Sequence, residues 1–144
     1  MIVMASLDPL QASLRIAGSG LEAQSARLRV ISENIANAQS TGTTAGADPY
    51  ARKTITFDSV MDRALGLPMV HVKNVGVDPT PFKVELDPGN PAADAKGFVK
   101  MPNVDLLVEL ADMREANRSY EADLQVAKQS ADLMNQTVNL LRDA

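Results

Sequence analysis

Between Asn103 and Ala144 apolar residues recur at alternating spacings of four and three, and neither proline nor glycine occurs. The run is Leu106, Leu110, Met113, Asn117, Tyr120, Leu124, Ala127, Ala131, Met134, Val138 and Leu141. Strands alternate with a period of two, so this spacing predicts one helix of roughly 38 residues, ~57 Å long. Asn103, directly after Pro102, is placed to cap it. A helix this long with one apolar stripe must lay that stripe against something. The rest of the fold, or a neighbour, has to supply the cover.

A second run offers part of it. Leu7, Leu14, Leu21, Leu28 and Ile35 recur every seven residues, with Leu10, Ala17, Gln24, Ile31 and Ala38 three residues after each. This is a heptad seam with a polar break at Gln24. Asp8-Pro9 suits a helix start, because aspartate accepts from free backbone N–H groups and proline tolerates the first helical position. A helix from about residue 9 to about residue 39 would be roughly 45 Å long. Gly18 and Gly20 each cost about 1 kcal/mol in a helix interior. They either weaken the helix locally or let a neighbouring backbone come close.

The middle of the chain obeys different rules. Seven of the eight prolines lie from Pro49 to Pro102, with four of the eight glycines and all three phenylalanines. "ARKTITFDSV", "MVHVKNVGVD" and "PFKVELD" show alternation or β-branched enrichment, with turns at Asp78-Pro79 and Asp87-Pro88-Gly89-Asn90-Pro91. The expected fold is mainly α: long N- and C-terminal helices packed as an antiparallel coiled-coil hairpin, with a small β-rich, extended middle segment. Residues 1–42 and 103–144 form its discontinuous helical core and residues 43–102 the middle segment. Leu107, Val108, Ala116, Val126, Leu133 and Leu140 lie off the main seam and widen its apolar face. A single hairpin would leave them in water, so the surplus points to further subunits.

Composition narrows the function. With aromatics at 3%, any core is built from Leu, Ile, Val, Met and Ala, which suits helices better than sandwiches. The net charge of -4 and the absence of a basic run argue against nucleic acid. Having no cysteine, the chain cannot use thiol nucleophiles or Cys-based zinc sites. "MIVMASLDPL" lacks the basic lead and apolar length of a secretory signal peptide, and no window approaches the ~20 apolar residues of a membrane helix. Taken alone, these features imply a soluble cytoplasmic protein.

Candidate chemical sites are thin. His71 is the only histidine and has no partner for acid–base or metal work, so it is expected on a strand surface. Asp105, Glu109, Asp112, Glu115, Glu121 and Asp123 are spread around the C-terminal helix, with Glu115–Arg118 and Arg118–Glu121 at the spacing of surface ion pairs. "GSG" at 18–20 lacks the preceding strand and third glycine of a dinucleotide loop, and "DPGNPAAD" lacks the spacing of a calcium loop. Asn117 on the apolar stripe suits register-setting in an assembly. Asn34 and Asn37 are expected to cap or pack the end of the first helix. No catalytic, cofactor-binding or metal-binding residue is expected, and no small-molecule substrate.

"SGLEAQSARLRVISENIANAQSTGT" (19–43) resembles the N-terminal signature of the flagellar rod and hook axial proteins. "DPYARKTITF", "DPTPFKVELDPGNPAADAKGFVKMPNVD" and "LADMREANRSYEADLQVAKQSADL" are similar to the short basal-body rod members of that family. The resemblance implies a structural subunit of the rod, the drive shaft that crosses the periplasm and transmits torque. It implies export through the flagellar type III apparatus without a cleaved signal peptide, which reverses the cytoplasmic expectation. Its partners would be other copies and other rod proteins, with the membrane ring or a surrounding ring beside the middle segment. Leu21 and Gln24 fall on the opening of the motif, and Asn34, Ile35 and Asn37 on its close. With Leu14, Leu28, Ile31 and the C-terminal stripe (Leu106, Leu110, Met113, Asn117, Tyr120, Leu124, Met134, Val138 and Leu141), they are the expected packing and assembly residues. The competing expectations are another axial protein of rod or hook type and a cytoplasmic coiled-coil adaptor.

Overall fold

The computed structural model describes residues 2–143, with side chains from Pro9 onward. Two long helices, α1 (Ile2–Ala36) and α2 (Leu106–Arg142), enclose four strands in the sequence: β1 (Lys53–Asp62), β2 (Leu67–Val77), β3 (Lys83–Leu86) and β4 (Phe98–Met101). The strands form two separate two-stranded sheets, β1 with β2 and β3 with β4. The chain is therefore mainly helical, with a small β region between the helices.

Both helices differ at their ends from the sequence expectation. α1 begins at Ile2, so Pro9 lies inside it, where it removes one helical donor near the start. It ends at Ala36 rather than near residue 39, because Asn37, Ala38 and Gln39 turn the chain. α2 is capped by Asp105, whose Oδ1 accepts from the backbone N–H of Leu107 at 2.9 Å and of Val108 at 3.4 Å. Asn103 cannot cap, because its side chain is engaged elsewhere. It accepts from the Arg52 N–H and donates to the Asp78 and Thr80 carbonyls.

The β1–β2 turn is held by Asp62, which accepts from the Ala64 and Leu65 N–H groups, and by Gly66 at φ 64°. β3 and β4 pair antiparallel, with Lys83 opposite Met101 and Leu86 opposite Phe98. β4 was not anticipated from the sequence. The "DPGNPAAD" stretch serves this ribbon as a connector: Asp94 accepts from the Lys96 and Phe98 N–H groups, and Gly97 adopts φ 83°. Val99 on its inner face is fully buried, whereas Val84 and Leu86 on the outer face are exposed.

The chain groups into two compact units. Unit one comprises Met1–Arg27, Phe57–Lys73 and Glu115–Ala144, and unit two Leu28–Thr56 and Asn74–Arg114. In unit one the buried residues are small: Ala17, Ser19, Ala23, Ala116 and Ser130. Ser130 Oγ donates to Ser13 Oγ at 3.1 Å, and Arg27 pairs with Glu115 at 3.5 Å, which takes Glu115 away from the expected Arg118 partner. A Cβ built on Gly20 would lie 2.5 Å from Asp123 Oδ2, so this glycine permits a close approach; Gly18 has nothing within 4 Å. Ser19 Oγ accepts from the Val70 N–H and donates to the Ile16 carbonyl, fastening β2 to α1. In unit two the buried apolar residues are Val30, Ile31, Ala92, Val99 and Val104, and two polar side chains lie among them: Asn34 and Glu109.

Candidate functional site

Asn34, on the last turn of α1, is 1% exposed and makes every hydrogen bond a carboxamide can make. Its Nδ2 donates to the Lys53 carbonyl at 2.9 Å and to Glu109 Oε2 at 3.2 Å. Its Oδ1 accepts from the Lys53 N–H at 2.8 Å and from the Tyr50 hydroxyl at 2.9 Å. By meeting both backbone groups of Lys53, the amide acts toward β1 as a neighbouring strand would. Asn37 finishes the helix: its Nδ2 donates to the Glu33 carbonyl at 2.8 Å, and Ser40 Oγ donates to its Oδ1 at 3.0 Å. Asn34 is left with no group free for a ligand.

Glu109, on the first turns of α2, is fully buried, which corrects the expectation that the carboxylates of this helix form a solvated face. Such a charge survives burial only with charged and hydrogen-bonded partners. Arg52 Nε donates to Glu109 Oε1. The rest of the guanidinium fork reaches Asp78 Oδ2 at 3.2 Å and Asp112 Oδ2 at 3.6 Å. Partial burial works against the Arg52 charge, but the bonds to Glu109 and Asp78 outweigh it and hold its pKa above the usual value. The Thr80 hydroxyl and backbone N–H, with Arg52, hold the Asp78 carboxyl below the ordinary carboxylate range. Burial raises the Tyr50 phenol. At the rim, Lys53 Nζ meets Glu33 at 2.7 Å, which raises the lysine and lowers the glutamate.

This knot of Asn34, Tyr50, Arg52, Asn103 and Glu109 joins the end of α1, the start of β1 and the start of α2. Its polar groups are satisfied by one another, which suits holding a geometry rather than acting on a substrate. Among the described residues, no group of three His, Cys, Asp or Glu side chains could hold a metal. His71 lies exposed on β2.

The expected assembly residues fall into three groups. Ile31 and Asn34 are buried. Leu14, Leu21, Gln24, Leu28, Ile35, Asn37, Met113, Tyr120, Leu124 and Met134 are half-buried. Leu106, Leu110, Asn117, Val138 and Leu141 are exposed. What α2 buries instead is Glu109, Ala116 and Ser130, a stripe of small and polar residues. Sequence reasoning missed this stripe. Its signal was present in Glu109, Ala116, Ser119, Asp123 and Ser130, each of which stands one position before a member of the apolar run.

Among the described residues, α2 leaves nine large apolar side chains exposed, from Leu106 and Leu107 through Val126 and Leu133 to Leu141, whereas α1 leaves only Ile16. Among the described residues no helix is long and apolar enough to cross a membrane. A polar knot satisfied within the chain, beside a long helix that presents apolar side chains outward, defines a structural assembly subunit.

Comparison with known proteins places that class. Residues 14–42 match the family profile described as flagella basal body rod protein. Residues 95–140 match that of the flagellar basal body rod FlgEFG protein C-terminal region. The chain is 62% identical to the flagellar basal-body rod protein FlgC of Agrobacterium fabrum, over 94% of this chain and 98% of the relative. It is 42% identical to that of Yersinia enterocolitica, over 87% and 92% of the two chains. To that of Borreliella burgdorferi it is 34% identical, over 92% and 98%. The chain belongs to the FlgC family of flagellar basal-body rod proteins.

Proposed function

We propose that this chain is a structural subunit of the flagellar rod whose helices pair as an antiparallel coiled-coil hairpin, and that neighbouring subunits cover the apolar side chains left on α2. Two sets of contacts support the hairpin. In unit one, Ser13 meets Ser130, Gly20 meets Asp123 and Arg27 meets Glu115, so α2 numbers fall as α1 numbers rise, at steps of seven or eight. In unit two, Asn34 meets Glu109.

The observation that carries the assembly reading is the inverted burial of α2. Leu107 and Leu140 are 79% and 74% exposed, while Glu109 and Ala116 are fully buried. Covering one such leucine contributes roughly 1.5–3 kcal/mol, so a neighbour that covers several gains a large driving force. Leu14, Leu21, Leu28, Ile31 and Leu124 then belong to the hairpin, and Leu106, Leu110, Val138 and Leu141 to contacts between subunits. Assembly with other rod proteins would build a shaft that crosses the periplasm and carries torque through many small packing contacts. The subunit would reach that site through the flagellar export apparatus without cleavage. The exposed β1–β2 ribbon would face a different neighbour, another rod protein or a ring. A photo-crosslinker at His71 should capture such a protein, and capture of like subunits alone would refute that part.

Leu107→Asp and Leu140→Asp test the central claim. Both should keep the helical circular dichroism of the parent, yet fail to enter purified basal bodies and abolish motility. Normal incorporation of either variant would overturn the proposal. His71→Ala should leave motility unchanged.

A further inference from the structure

A groove of about 540 Å³ in unit one is lined in part by Gln24, whose Oε1 has no hydrogen-bond partner, and by Asp123. Its walls include Ile16, Ala17 and Ala23 of α1, Val70 of β2 and Val126 of α2, and Gln24 and Asp123 reach into it. Asp123 is the only charged residue of that lining. One turn away on its own helix stand Ser119, Tyr120, Val126 and Ala127, none of them charged. Its carboxyl packs directly on the α1 backbone, where a Cβ on Gly20 would lie 2.9 Å from Asp123 Cγ.

Gln24 Oε1 is the one buried side-chain N or O atom among the described residues with no hydrogen-bond partner. Such an acceptor destabilises the fold unless a donor reaches it. Helix side chains lean toward their own N-terminus, so Gln24 leans back along α1 toward the level of Gly20, where the Asp123 carboxyl lies.

We propose that Asp123 is a proton switch in unit one: its neutral carboxyl donates a hydrogen bond to Gln24 Oε1, and loss of that proton to solvent breaks the bond and loosens α1 from α2. Ionisation would set a carboxylate oxygen against a carbonyl oxygen in an apolar groove, with no cation to compensate. Burial raises the Asp123 pKa, which favours the donor form. The sign follows. A carboxyl raised above its unfolded value contributes stability below that value and loses it as pH rises through the raised one. Acid should therefore tighten unit one, and the inference stands on this unit alone, whatever the chain assembles with.

Hydrogen exchange of the full chain, corrected for intrinsic rates, tests it on segments 13–27 and 116–130 from neutral pH down to about pH 4, the unperturbed aspartate value. Wild type should gain protection on acidification, by at most about tenfold per pH unit, the limit for one linked proton. Asp123→Asn keeps an N–H donor at every pH, so it should be protected already at neutral pH and lack that gain. Gln24→Leu removes the acceptor and should shrink the gain. A wild type without an acid gain, or an equal gain in Asp123→Asn, overturns the switch. A gain undiminished in Gln24→Leu overturns the pairing and assigns the effect to burial alone. If Asp123→Asn fails to fold, wild type against Gln24→Leu still decides the matter.

Discussion

Unit one buries residues with almost no side chain between α1 and α2 and keeps its one charged link, Arg27–Glu115, toward solvent, whereas unit two joins them through a buried charge. In unit one, alanine, serine and glycine let the two backbones approach, and each contact contributes little. In unit two a buried carboxylate, a guanidinium and an asparagine satisfy one another, and removing one strands the others. A seam of small residues offers similar neighbours at several offsets. The Asn34–Glu109–Arg52 knot closes in one arrangement only. The difference teaches where each kind of information is held: unit two fixes the register of the helices, and unit one lets them lie close. Two neighbouring stripes on one helix can thus serve two purposes, one inward and small, the other outward and apolar.

The largest effect should come from breaking the knot. Glu109→Ala leaves Arg52 without its deepest partner and one Asn34 N–H without an acceptor. It should destabilise unit two by about 3–5 kcal/mol, the usual cost of removing half of a buried ion pair. Urea unfolding, with hydrogen exchange over residues 28–56 to locate the loss, measures it. A cost below about 1 kcal/mol would mean that the knot is no stronger than a surface pair.

That contrast was only half legible in the sequence. The existence and extent of α2 were plain, because an unbroken spacing of four and three without proline or glycine leaves no other solution. β1, β2 and β3 showed through their β-branched residues. β4 did not, because "FVKM" is too short to display alternation. The caps misled: Asn103 and Asp105 are both good N-caps, and only the loops around Arg52 and Asp78 show which one is occupied elsewhere. The inward face of α2 was hidden for a deeper reason. Large apolar residues attract the eye as core, yet close helix packing needs small ones, and here the large ones stay exposed. Glu109 looked like one acid among several, since its burial depends on an arginine 57 positions earlier.

Glycine substitutions in unit one should have effects of intermediate size. Gly18→Ala meets nothing within 4 Å and should stabilise α1 by up to about 1 kcal/mol through helix propensity alone. Gly20→Ala makes the same propensity gain, but its methyl would collide with the Asp123 carboxyl. Because the clash falls on the tip of a side chain that can swing aside, it should end less stable than Gly18→Ala by at most about 1.5 kcal/mol, the cost of an off-rotamer side chain. Thermal melts of the two variants side by side give the sign. Equal stabilisation would show that the helices are not held close at Gly20.

Tyr50→Phe is a milder probe of the knot. It deletes one hydroxyl donor to Asn34 Oδ1, which still accepts from the Lys53 N–H, so the acceptor is not stranded. The expected cost is about 0.5–1.5 kcal/mol in urea unfolding, well below that of Glu109→Ala. A cost as large as that of Glu109→Ala would move the centre of the knot from the ion pair to the phenol.

The smallest effect, and the one that separates the two units by sign, is the response to acid. Asp78 in unit two is held below the ordinary carboxylate value by Thr80 and Arg52, whereas burial raises Asp123 in unit one. A depressed carboxyl contributes its stability above the unfolded value and loses it as pH falls through the folded one. A raised carboxyl does the reverse, contributing below its unfolded value and losing that contribution as pH rises through the folded one. Acidification below the ordinary carboxylate range should therefore cost unit two protection over residues 74–86, and Asp78→Asn should remove that part of the loss. Because the Asp78 side chain is 21% exposed, solvent and salt screen its pairing with Arg52, and the loss should shrink as salt is raised. An acid response of one sign in both units, unchanged by Asp78→Asn and by salt, would erase the electrostatic half of the contrast and leave only the difference in side-chain size.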